Sequence, residues 1–210
     1  MRRAAIAAVA VVGLAVPGAA DAKRITFGSN LKASANVAEA HGADSVFWNR
    51  HLAIGGDPRV PAHGQVLKVR IKGKALKHGH TKPLTLFHIQ TLQPLKHHRV
   101  KVRLTSGNYF LPYKGDPNQI NEYRPVNLCA HKNDRVAFND VGGYNPPNYP
   151  SGTPFQVFSN TFGSSTNFFS SANHTNNGDR FKGKAHKHEE LLMQVVLGTG
   201  KDAGPYCRHH

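Results

Sequence analysis

Two histidine pairs stand at a spacing that suits metal binding, His78-Gly79-His80 and His186-Lys187-His188. On an extended strand residues i and i+2 share a face, so each pair can offer two imidazoles to one ion. Glu189 and Glu190 follow the second pair. Strict alternation turns Glu189 to the opposite face and Glu190 to the histidine face. His186, His188 and Glu190 are therefore a candidate set for zinc, nickel or copper, and a metal-dependent enzyme built on them is the alternative functional reading. Lys182, Lys184 and Lys187 load the same segment with positive charge, which opposes a cation. The expectation is a solvated basic turn, with no metal or other cofactor. His97-His98 and His209-His210 are adjacent pairs that point apart when extended.

Other chemistry is thinner. Asn173 to Gly178 imitates the first half of a calcium loop, but it brings no early carboxylate and its twelfth position is Lys184. A hard divalent ion needs more anionic oxygen than that. No Gly-x-Ser-x-Gly elbow, phosphate loop or dinucleotide fingerprint occurs. Asp140, Glu122 and Asp134 are the acids nearest the long loops, and Asp134 fits turn chemistry better than acid catalysis. What remains is a binding surface. Tyr144, Asn145, Asn148 and Tyr149 combine aromatic faces that stack on sugar rings with amides that pair with hydroxyls. Trp48 could stack in the same way. Lys68, Arg70, Lys101 and Arg103 form the second candidate, a set of basic strand faces suited to an anionic partner.

The elements that must carry these residues read as β. From Leu67 to Lys72, Leu67, Val69 and Ile71 alternate with Lys68, Arg70 and Lys72. Arg99 to Thr105 repeats the scheme with Val100, Val102 and Leu104 against Arg99, Lys101 and Arg103. Period-two alternation marks strands with one buried face. Further strands are expected at Leu84–Leu92, Arg135–Asn139, Phe155–Phe158 and Leu191–Leu197, with weaker ones at Ile25–Phe27 and Val46–Trp48. Asp140–Pro154 and Ser159–Asp179 read as long irregular loops. Many short strands punctuated by Gly and Pro predict an all-β, two-sheet antiparallel β-sandwich with jelly-roll-like connections.

Several stretches are similar to a recurring pattern: Arg124-Pro-Val-Asn-Leu-Cys129, His131-Lys-Asn-Asp134, Val136-Ala-Phe-Asn139 and Gly142-Gly143. Thr175-Asn-Asn-Gly178 and Glu190-Leu-Leu-Met-Gln194 extend it over roughly the C-terminal half. The pattern resembles an uncharacterised group of secreted actinobacterial β-sandwich proteins. The resemblance implies export and a β-sandwich, and it brings no activity, ligand or catalytic residue. Asn133 stands where that group usually has Gly, and Asn tolerates the left-handed backbone nearly as well.

Export is also expected from the N-terminus itself. Arg2-Arg3, the apolar run Ala4–Val16, Pro17-Gly18 and Ala20-Asp21-Ala22 have the three-part layout of a cleavable signal peptide over residues 1–22. The apolar run is too short for a membrane span, so no transmembrane segment is expected in the mature chain. Residues 23–210 then form a single domain. Removing Arg2, Arg3 and Asp21 leaves 25 basic and 11 acidic side chains, a net +14 with neutral histidines. Cys129 and Cys207, the two cysteines, are expected to form one disulfide in an oxidising compartment. The leading expectation is a secreted, non-catalytic protein that binds cell-envelope or extracellular anionic glycans. Specific nucleic-acid binding is not expected, because the basic positions lack the aromatic interleaving of single-strand grooves. Oligomeric state is open.

Overall fold

A computed structural model describes residues 22–54, 56–77, 79–142, 149 and 151–207. The expected signal peptide therefore lies outside the described residues except at its last position. The strands are β1 (Lys23–Gly28), β2 (Val37–Glu39), β3 (Ser45–His51), β4 (Gly64–Lys72), β5 (Lys74–Ala75), β6 (Leu86–Pro94), β7 (Arg99–Thr105) and β8 (Tyr109–Phe110). They continue with β9 (Ile120–Tyr123), β10 (Leu128–Ala130), β11 (Arg135–Asp140), β12 (Phe155–Ser170), β13 (Arg180–Lys182), β14 (Lys184–Leu191) and β15 (Met193–Thr199). Helical structure among the described residues is confined to three short 3₁₀ turns, and no helix is long and apolar enough to cross a membrane.

Two antiparallel sheets pack as a sandwich. A five-stranded sheet has the order β1-β15-β4-β10, with β9 also on β4. A ten-stranded sheet has the order β13-β7-β6-β11-β3-β12-β14, with β2 and β5 on β12 and β8 on β6. The chain passes between the sheets repeatedly, as from β3 to β4, β10 to β11 and β14 to β15, which is the connectivity expected of jelly-roll-like sandwiches. The main core fills the space between the sheets. Phe47, Phe87, Ile89, Phe138, Phe155 and Phe158 of the large sheet meet Val66, Val69, Ile71, Val195 and Leu197 of the small one. Removing this apolar area from water is the main favourable term of folding.

The ten-stranded sheet also carries apolar residues on its outer face. Val46, Trp48, Leu92, Val100, Val102, Ala137 and Phe181 form a second cluster there, with Phe169 stacked on Phe181 at 4.3 Å. The edge strand β13 contributes Phe181 to it, and the adjoining β7 contributes Val100 and Val102. Gly183, between β13 and β14, lets the chain pass the indole closely, since a Cβ at that position would meet the Trp48 ring at 2.5 Å.

Bulges correct the plain alternation in several places. Val196 pairs with Lys68 and Leu197 with Val66, so Leu67 is the extra residue of β4 and lies outside the core that Val66, Val69 and Ile71 enter. Thr91 pairs with Leu104 and Leu92 with Val102, which bulges β7 at Arg103 and leaves Leu104 exposed. Such bulges insert one residue and re-aim its neighbours. The stretch Ser159–Asp179, expected as a loop, is strand as far as Ser170. Its Ser, Thr and Asn residues have modest strand preference, yet β12 is held by β3 on one side and β14 on the other, so tertiary pairing overrides local preference.

The disulfide is present. Cys129 on β10 joins Cys207 in the last 3₁₀ turn, with Cα atoms 5.2 Å apart, and it ties the C-terminal tail to the small sheet.

Candidate functional site

The outer face of the large sheet changes character along its strands. On β11 the outward residues run Arg135, Ala137, Asn139; on β3 they run Arg50, Trp48, Val46. The strands β6, β11 and β3 are neighbours, so one end of this face is basic, the middle apolar and the other end polar.

At the basic end lies a cleft of about 450 Å³. Four arginines from separate segments converge on it: Arg50 of β3, Arg59 of the loop before β4, Arg99 of β7 and Arg135 of β11. Trp48, Pro94, His98, Asn133 and Asn167 also line it, and none of its described lining residues is acidic. A backbone bridge sets Arg59 opposite Arg135. Arg59 Nε donates to both carboxylate oxygens of Asp57, at 2.9 Å to Oδ1 and 2.8 Å to Oδ2, and its Nη2 donates to Oδ2 as well. The other three have no carboxylate partner among the described residues. Arg135 donates only a long hydrogen bond, 3.4 Å, to the Asn49 carbonyl. Burial first, then the charges of Arg59 and Arg50, pull the Arg135 guanidinium below its usual range against the opposing pull of Asp57. The buried Asn167 Oδ1 has no hydrogen-bond partner. The cleft thus offers cationic donors for an anionic group.

At the polar end a second cleft, about 480 Å³, is lined by Asp44, His88, Gln90, Thr105, Asn139 and Thr175 with the amides of Asn176 and Asn177. Gln90 donates to Thr105 Oγ1 at 3.1 Å and to the Thr175 carbonyl at 2.7 Å, while its own Oε1 is buried and unpartnered. His88 Nδ1 is 3.0 Å from the Ser106 carbonyl. Burial raises the Asp44 carboxyl above its ordinary value, and it pushes the neighbouring Asp140 up to about 8.

The basic faces expected from alternation are not one surface. Lys68 and Arg70 belong to the five-stranded sheet and Lys101 and Arg103 to the ten-stranded one, so β4 and β7 are not neighbours and the four charges do not share one sheet face. Lys68 and Arg70 share Glu122 at 2.6 and 3.2 Å, and Arg124 joins them at 3.4 Å. The Lys68 hydrogen bond is the main reason Glu122 lies below the usual carboxylate range. Arg103 pairs with the buried Asp134 at 3.0 Å, and Asp134 Oδ2 accepts the His131 amide at 2.9 Å, as turn chemistry requires. Lys101 sits across from Arg180. Lys72 is buried with its Nζ donating to the Ala33 carbonyl.

Tyr144, Asn145 and Asn148 lie outside the described residues, as does His78. Tyr149 and Trp48 are corrections: they are 4% and 2% exposed, and the Tyr149 hydroxyl donates to the Thr81 carbonyl at 2.8 Å, so neither ring is open for stacking on a sugar.

The set His186, His188 and Glu190 does not converge. His188 has φ +60°, and four residues of β12, 161–164, bulge out opposite it. Its ring stacks on the exposed Phe162 at 4.8 Å. Glu190 is buried elsewhere, accepting from Ser29 Oγ at 2.5 Å and Ser164 Oγ at 3.4 Å. The bulge reverses the alternation, and Glu189 rather than Glu190 comes to His186, at 3.5 Å.

The arginines of the cleft escaped sequence reasoning because they come one from each of four segments. The local signals were the place of Arg99 on the basic face of its strand and the shared parity of Arg50 with Trp48 and of Arg135 with Ala137. No protein-family model, curated protein or solved structure matches the chain. Fold and site define a disulfide-tied β-sandwich with an arginine-lined cleft on one outer face.

Proposed function

We propose that this is a secreted, non-catalytic protein that binds anionic glycans of the cell envelope or extracellular space, with the arginine cleft as the site. The carrying observation is the convergence of Arg50, Arg59, Arg99 and Arg135, of which, among the described residues, Arg59 alone is paired with a carboxylate, that of Asp57. Guanidinium groups stay charged at any physiological pH, so their mutual repulsion is relieved by an incoming anion rather than by losing a proton. Planar donors suit the carboxylate, sulfate or phosphate groups that acidic glycans carry. The disulfide and the overall positive charge fit an oxidising location and an anionic partner.

The test is retention of the mature chain on immobilised polygalacturonate, with neutral dextran as the control. Binding at low ionic strength that is lost on adding salt, and lost in the Arg50→Glu/Arg99→Glu variant, supports the site. Equal retention on dextran, or full retention by that variant, overturns it.

A further inference from the structure

On the opposite, inner face of the large sheet, at the margin of the main core, two strands bring together residues that the strand pattern did not join. We propose that Glu39 of β2 with His186 and Glu189 of β14 hold one divalent transition-metal ion of the zinc class. Their ligating atoms all lie within 4.8 Å of one another. An ion with bonds of about 2.1 Å needs donors about 3.4 Å apart, which side-chain rotation alone can supply.

The surroundings hold both carboxylates as an outer shell does. His41 Nε2 donates to Glu39 Oε2 at 2.9 Å. The fully buried Thr166 donates its hydroxyl to Glu189 Oε1. Phe168 packs against both imidazoles, His41 at 4.6 Å and His186 at 5.5 Å, and is itself seated on the main core. Ligating carboxylates and their positions are ordinarily fixed by second partners of this kind. Two carboxylates and one imidazole make a borderline donor set that suits zinc, cobalt or manganese better than calcium. Glu39 and His186 keep 19% and 28% of their side chains exposed, so an ion can enter and three protein donors leave it a position for water. Of the lysines that argue against a cation, Lys187 alternates to the other face, and Lys184 is exposed and free to swing into solvent.

The experiment uses the full mature chain, without a tag and stripped of metal, dialysed against zinc and separately against cobalt. The site requires about one saturable equivalent per chain, a higher melting temperature with zinc, and visible absorption from bound cobalt. Fourteen histidines make background binding a concern, so three variants are compared. Glu39→Gln, on a short edge strand, and Glu189→Gln each lower zinc affinity at least tenfold. His97→Ala/His98→Ala leaves it unchanged. Retention of Glu39→Gln on polygalacturonate is unaltered, which separates this site from the arginine cleft. No saturable equivalent, or unchanged affinity in Glu39→Gln, overturns the proposal.

Discussion

The two ends of the large sheet place opposite charges under the same pressure. At one end burial drags the Arg135 guanidinium down, and at the other it drives the Asp140 carboxyl up to about 8. Both shifts express the cost of holding a charge away from water. The outcomes differ because an aspartate escapes by taking a proton near neutral pH, whereas an arginine does not lose its own. The polar end therefore relaxes by itself, and the basic end stays charged. The small sheet shows a third solution, in which Lys68, Arg70 and Arg124 are answered by Glu122 on the spot. Density of basic residues along the chain is thus a poor guide to where positive charge stands without an acidic partner.

The largest effect that sharpens this contrast concerns Asp140. Its folded pKa lies above the unfolded value of 3.8, so its contribution to stability is fully present below about pH 3.8 and disappears as pH rises through about 8. Asp140→Asn cannot titrate and resembles the protonated form. Denaturant unfolding at a series of pH values should show the parent losing a few kcal/mol relative to the variant between pH 4 and 8. Parallel curves would remove the polar end from the comparison.

Next in size is the response of binding to charge reversal. Arg50→Glu/Arg99→Glu should weaken polygalacturonate binding by about 100-fold, or ~3 kcal/mol. Lys68→Glu/Arg70→Glu should weaken it by less than about threefold, because those charges are already paired. Similar losses from both would mean that net charge, not the cleft, governs binding.

A smaller effect separates binding from folding. Arg135→Met removes a half-buried, unpaired cation, so thermal unfolding should show stability unchanged or raised by about 1 kcal/mol while glycan retention falls. A marked loss of stability would show that Arg135 is a structural residue. The smallest change belongs to Glu122→Gln, which should cost roughly 0.5–1 kcal/mol at pH 7. Because the Glu122 pKa is lowered on folding, that difference should fade as pH drops below 4.5, measurable by the same denaturant series.

The strand faces show how far the sequence reaches. Arg99–Thr105 is strand over the residues expected, and Arg135–Asn139 and Leu84–Leu92 are displaced by two residues or fewer at either end. Period-two patterns are local and survive as long as pairing is regular. They fail at bulges, which depend on the partner strand: Leu67 leaves the core, Leu104 becomes exposed, and Glu189 replaces Glu190 beside His186. The polar stretch after Phe158 is strand only because β3 and β14 flank it. Tyr149 and Trp48 were plausible stacking residues by type, but type does not say which face a ring presents, and both are buried.

The amino-acid sequence by itself determined the sheet-forming character of the chain, its excess of positive charge and the pair of cysteines available for bonding. These follow from composition and from spacing between near neighbours. Only the tertiary structure decided which charges are answered and which stand together. Arg50, Arg59, Arg99 and Arg135 come from four separate segments of the chain, and Glu39 lies far from His186 and Glu189. Strand order and bulges bring each set into one place, and neither is written in a local pattern.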